Sequence, residues 1–316
     1  MTAFHPLPTA SRPRYRLFFF ALLLTLPSLH ADTLRLKSGE TVTGAVQGFD
    51  GDKILIALQL ETGNATVPYP LDLIDTATFD RTPAEAALLN GPLQTADRSA
   101  WQTFWNHRAP FLRLPGSDSG AVGLGWAQLL LESDPAQAGT VAAAVAAGDW
   151  QAARREQARA LGATALLAQG KETEAATAAQ ILLANAMDAT ARVDARFVLG
   201  RIAVAQWNTF AAAHPQWRTV PAQAAAQNAV ADRALDALAS SPVFLPGDAA
   251  RAGRGLLAAA TAAAAMDRTR EAATLLDDLL ESFPAAPQTA EAKALRQRLN
   301  AADATGTGFF TAATSS

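Results

Sequence analysis

The hydrophobic pattern changes period near residue 81, and that change decides what the chain can fold into. From Thr33 to Phe79 apolar and polar residues alternate between turn residues, which is the pattern of short antiparallel strands. Leu34 and Leu36 alternate with Arg35 and Lys37, Val42, Gly44 and Val46 share a face, and Ile54, Ile56 and Leu58 point inward. Ser38-Gly39-Glu40, Asp50-Gly51-Asp52 and Thr62-Gly63-Asn64 supply the turns. About five short strands fit, too few residues to bury two sheets, so the expected module over 32–80 is a small, strongly bent β-barrel with Ile74 and Phe79 sealing an end.

After Arg81 the period is helical. Thr82-Pro83-Ala84-Glu85 forms a capping box that opens a helix through about Asn90, and Trp101, Phe104 and Trp105 share one helical face. Residues 81–121 are read as a helical linker region, 122–300 as a helical domain and 301–316 as a small, polar, disordered tail carrying Phe309-Phe310. The expected fold class is α+β and mostly α.

The helix junctions carry the architecture. Gly148-Asp149-Trp150-Gln151-Ala152-Ala153, Gly170-Lys171-Glu172-Thr173-Glu174-Ala175 and Met266-Asp267-Arg268-Thr269-Arg270-Glu271-Ala272 each set a polar turn before a helix whose early alanine can lie against a neighbour. In the last unit Ala272, Leu275, Leu276, Leu279, Leu280 and Phe283 form an apolar stripe that Pro284 stops, and Thr289 to Leu299 follows as another amphipathic helix. With Val198-Leu199-Gly200, Ser282-Phe283-Pro284 and Ala290-Glu291-Ala292, these units resemble tetratricopeptide-like (TPR-like) repeats of exported proteins. The resemblance implies an α-solenoid with a concave surface. Ala153, Ala175 and Ala272 are 22 and then 97 residues apart, against a usual period of ~34, so the array is irregular and its repeat count is not assigned. His214-Pro215-Gln216-Trp217-Arg218 through Pro221 reads as an interruption between the two helices of one hairpin. A compact bundle using the same faces is the competing architecture.

Leu36-Lys37-Ser38-Gly39, Gly44 and Phe49-Asp50 resemble the Sm-like small β-barrel family, over the β module alone. That family's RNA loop pairs an aspartate with Met-Asn, whereas Asp50 is followed by Gly51-Asp52-Lys53. RNA binding is therefore not expected, and the formal charge of −3 argues against nucleic acid generally.

Residues 1–31 contain no acid and place Arg12, Arg14 and Arg16 ahead of the apolar run Leu17 to Leu29. The run is shorter than the ~20 residues that cross a bilayer and is broken by Pro27, so it reads as a secretory signal peptide cut ahead of Asp32. The remaining chain has a formal charge of −6 and no further apolar run, since Leu256 to Met266 is mostly alanine. The expected address is exported, most simply periplasmic in a bacterium, with no membrane span after cleavage.

Motifs for chemistry are sparse. Cysteine is absent, which excludes disulfides, thiol catalysis and cysteine-ligated metals. Of four histidines, His107 and His214 lie outside the leader, without metal spacing. Gly123-Leu124-Gly125 lacks the rest of a nucleotide fingerprint. Gly116-Ser117-Asp118-Ser119-Gly120 looks like the surroundings of a serine nucleophile but lacks a placed base, and its competing reading is a loop that caps the next helix. Asp277-Asp278 and Asp72 with Asp75 are the paired acids, Trp101 and Trp105 the aromatic pair that could stack on sugars, and Asn64-Ala65-Thr66 a glycosylation triplet. No catalytic, cofactor-binding or metal residue is assigned, binding residues stay unassigned, and no cofactor is expected. The expected function is a non-enzymatic exported scaffold or adaptor that holds a cell-envelope protein or peptide on a TPR-like concave surface. A cell-wall glycan-binding module is the alternative and an uncharacterised hydrolase the third reading.

Overall fold

A computed structural model describes residues 31–61, 63–91 and 97–305. The expected leader, except Ala31, and residues 306–316 of the expected tail lie outside them.

Five strands form where the period-two pattern places them: β1 (Asp32–Leu36), β2 (Thr41–Asp50), β3 (Lys53–Leu60), β4 (Gly63–Pro70) and β5 (Ile74–Thr78). They make one antiparallel sheet in the order β4-β3-β2-β1-β5. The sheet bends sharply along β2, whose first half pairs with β1 and whose second half pairs with β3. At the bend a Cβ on Gly44 would lie 2.3 Å from the Ala57 carbonyl oxygen, and Gly48, beside a bulge, takes a φ of 146° that side chains disfavour.

The expected barrel does not close. Closure needs β4 and β5 to pair, and neither edge is available. Pro68 and Pro70 deprive β4 of two donors. The edge of β5 is covered by the chain at Pro115, whose carbonyl accepts the Ala77 N–H at 2.7 Å. Leu34, Ile54, Ile56, Ile74 and Phe79 are buried as expected, but the core they form is completed by Phe111 and Leu114 from beyond the module. The Phe111 ring stands 4.8 Å from Phe79 and 5.5 Å from Phe49.

The helical part begins with α1 (Pro83–Asn90), which carries the full capping box: the Glu85 N–H donates to Thr82 and the Thr82 N–H to Glu85. α2 (Arg98–Arg108) buries Trp101, Phe104 and Trp105. Its last residue, Arg108, fastens this helix to the sheet. Only 1% exposed, it donates from Nη2 to the Asp80 carbonyl at 2.7 Å and stacks over the Phe79 and Phe104 rings.

Then come α3 (Ser119–Leu130), α4 (Pro135–Gly148), α5 (Ala152–Ala168), α6 (Glu172–Asn185), α7 (Ala189–Ala213), α8 (Pro221–Leu238), α9 (Ser241–Phe244), α10 (Ala249–Ala265), α11 (Thr269–Ser282) and α12 (Thr289–Thr305). The helical region thus begins at Ser119 rather than Val122. It also runs to Thr305, past the expected start of the tail, because Ala302 is still buried.

Helices pack on their chain neighbours throughout, within the hairpins α3/α4, α5/α6, α7/α8 and α10/α11 and also between them, α4 on α5 most extensively and α6 on α7, with α12 packed on α11. The first members also form a row, in which α3 packs on α5, α5 on α7 and α10 on α12. Polar ties join the amino-terminal ends along that row. Arg154 of α5 donates to the Ser117 carbonyl before α3. Glu156 of α5 accepts the Met187 and Asp188 N–H groups before α7, Asp194 of α7 binds Arg251 and Arg254 of α10, and Gln288 before α12 lies on Gly253 of α10. The first helices therefore run in the same direction. Ala175 and Ala272 are buried as the junction pattern predicts, whereas Ala153 is exposed and the neighbouring Arg154 makes the contact to the preceding segment by donating to the Ser117 carbonyl.

Among the described residues no helix is long and apolar enough to cross a membrane. The stretch Leu256 to Met266 lies within α10 and the turn after it, and most of it is buried in the helical core.

Candidate functional site

The sequence motifs for chemistry are dispersed or used for structure. Ser119 is 0% exposed and its hydroxyl lies 2.6 Å from that of Ser117, which also accepts the Ser119 N–H. Asp118 does not cap α3; it binds Arg81 at 2.7 Å. His107 is exposed on α2, and His214 stacks on Phe210 at the end of α7. Gly123 and Gly125 let Trp105 and Trp101 press onto the bare backbone of α3, so both tryptophans are committed to the core and present no face to a sugar. Asp277 pairs with Arg296 while Asp278 is exposed; Asp75 pairs with Arg35 and Asp72 stands apart on its turn. Asn64 is exposed on β4. No cluster of three or more metal-ligating side chains occurs among the described residues.

What the fold does build is a groove of about 680 Å³ between α7 and α10, reaching the start of α12. Its geometry follows from two glycines. α7 and α10 both lean on the end of α8 at Leu238: a Cβ on Gly200 would meet Leu238 Cγ at 2.8 Å, and one on Gly255 would meet the Leu238 carbonyl oxygen at 2.5 Å. Leu238 becomes the floor, and the faces of α7 and α10 above it form the walls. Gly200 belongs to the Val198-Leu199-Gly200 segment singled out in the sequence, and it marks a close helix crossing there.

The walls differ along their length. At one end Arg254 lies over the Phe197 ring at 4.6 Å and is ion-paired with Asp194, with Arg201 one turn further along α7. The other end is lined mostly by small and aliphatic side chains, Val204, Ala205, Ala262 and Ala265, with Asn208 and Thr261 as its polar members. Arg201 is exposed and has no ion-pair partner among the described residues. The Arg254 Nε and the Gln288 Oε1 are buried without a hydrogen-bond partner, an arrangement that ordinarily costs about 1–3 kcal/mol per group. Glu291 contributes the one carboxylate of the lining.

The cationic end is braced from below. Arg251 holds Asp248 at 2.5 Å and also reaches Asp194, and Asp248 caps α10 by accepting the Arg251 N–H. Burial alone would raise the Asp248 carboxyl, but the Arg251 backbone N–H and guanidinium, with Arg254 beyond, hold it below its ordinary 3.8. A carboxylate held low contributes stability above its unfolded value and loses it as the pH falls through the folded one. Asp248→Asn is therefore expected to cost about 0.5–1 kcal/mol at pH 7, with the gap to the parent closing below about pH 4. Urea unfolding across pH 7 to 3 checks this; a constant gap refutes it.

Sequence reasoning left the groove residues unassigned. The available signal was an arginine within the apolar stripe Phe197, Arg201, Val204 of α7, matched by Arg254, Leu257, Thr261 on α10. Neither a family model nor a curated protein nor a solved structure matches this chain.

Proposed function

We propose that the chain is a non-enzymatic scaffold or adaptor of the exported TPR-like kind, which holds a segment of another cell-envelope protein in the groove between α7 and α10. One observation carries this reading: a preformed, largely apolar groove with a fixed floor at Leu238 and, on its wall, the exposed Arg201, which has no ion-pair partner among the described residues. A groove set between two helices that run in the same direction binds by shape and side-chain complementarity, without rearrangement of the backbone. The hairpin packing and the row of first helices support the TPR-like reading; of the irregular steps, the 22-residue one from Ala153 to Ala175 runs between the two helices of one hairpin, and the 97-residue one to Ala272 spans the long stretch from Ala189 to Ala249 that includes α9. The residues that first suggested glycan stacking are in the core, so no observation favours the sugar-binding alternative.

Photo-crosslinking tests the proposal. A benzophenone side chain at Thr261, exposed on the α10 wall, is expected to capture a discrete protein from envelope extract, while the same probe at Asp278 on α11 captures none. Equal labelling from both positions would contradict a groove-specific partner.

A further inference from the structure

Within that reading, we propose that the groove selects an acidic amphipathic peptide segment: an aliphatic or aromatic side chain enters the end at Val204 and Leu257, and a neighbouring aspartate or glutamate side chain meets the guanidinium groups of Arg201 and Arg254. The proposal rests on the groove being the binding site and adds the chemistry of what fills it.

Charge is distributed unevenly along the groove. Two guanidinium groups stand at one end. Arg254 is held in place by Asp194 and by its stack on Phe197, so little side-chain entropy remains to be lost when it meets a ligand. Its ion pair uses Nη2 and its Nε is buried, so what it turns to the groove is the remaining, partly exposed edge of the guanidinium. Arg201 is free of any carboxylate among the described residues. Asp194 already matches Arg254, so Arg201 is the cation left without a carboxylate, and the lining itself offers a single acid, Glu291, in the first turn of α12. A carboxylate satisfies guanidinium donors better than a neutral group does. The opposite end, where Val204, Ala205, Ala262 and Ala265 outnumber the uncharged Asn208 and Thr261, rewards a hydrophobic side chain over a charged one. A basic segment would set like charges together, and a purely apolar one would bury the arginine donors unmet.

Short labelled peptides, acetylated and amidated so that only side chains carry charge, provide the test by fluorescence anisotropy with the full chain. Peptides with a Leu or Phe beside Asp or Glu are expected to bind, and to lose about tenfold or more when the acids become Asn or Gln. Arg201→Glu, an exposed position, should impose a similar loss on the acidic peptides and turn preference toward Lys-containing ones, with the unfolding midpoint unchanged. Equal binding of acidic, neutral and basic peptides, or an Arg201→Glu chain that keeps its acidic preference, would overturn the proposal while leaving groove binding intact. If no peptide binds although the Thr261 probe captures a protein, the acidic-segment chemistry is refuted and the adaptor reading survives; if the Thr261 probe captures nothing, the adaptor reading fails.

Discussion

Gly120→Ala is expected to lower stability by about 3–5 kcal/mol, read as a fall in the urea unfolding midpoint at constant slope. Gly120 lies in the first turn of α3, where a methyl group would come within 1.4 Å of Asp149 Oδ2. That carboxylate has no room to retreat. It is 2% exposed, is bound by Arg154 Nε at 3.0 Å and accepts the Gln151 N–H at 2.6 Å. Moving it strands a buried charge and loosens the tie between α3 and α5. Ser119→Ala in the same segment removes only a bond between two hydroxyls and should cost about 1 kcal/mol. A large effect at the glycine and a small one at the serine mark 116–120 as a structural joint. If it held a nucleophile, Ser119→Ala would abolish turnover of a general esterase or peptidase substrate with little change in stability.

Trp101→Ala carries the second large effect, about 3–5 kcal/mol, from the apolar area lost and the cavity left behind. The indole is 1% exposed and seats on bare α3 backbone at Gly125, where a Cβ would lie 2.4 Å from the ring, beside Phe104 at 6.3 Å between centroids. Thermal unfolding of the variant should begin well below that of the parent. A tryptophan serving as a sugar platform would behave in the reverse way, with an unchanged unfolding midpoint and lost retention on purified cell wall.

Local chemistry in the sequence foretold much of the fold. The alternation of Leu34, Leu36, Ile54 and Ile56 placed the strands, the Thr82 to Glu85 box placed α1, and the spacing of Trp101, Phe104 and Trp105 predicted the buried face of α2. Barrel closure was not legible, because it turns on which segment meets the edge of β5, and Pro115 is distant from that strand in sequence. The groove was not legible for the same reason. Phe197, Val204 and Leu257 read as one more amphipathic stripe until Leu238, lying between Gly200 and Gly255, sets α7 and α10 on either side of it. Arg108 also escaped notice, since its role as the joint to the sheet depends on Asp80 and Phe79 from the other side of the boundary.

The proposed recognition takes place between α7 and α10. Its most direct measurement is the affinity of the purified, crosslink-identified partner for the parent chain and for Thr261→Trp, which fills the groove from an exposed wall position. Titration calorimetry is expected to find binding to the parent and none to the filled groove, at equal unfolding midpoints. Undiminished affinity in Thr261→Trp would place the partner elsewhere and refute recognition between α7 and α10.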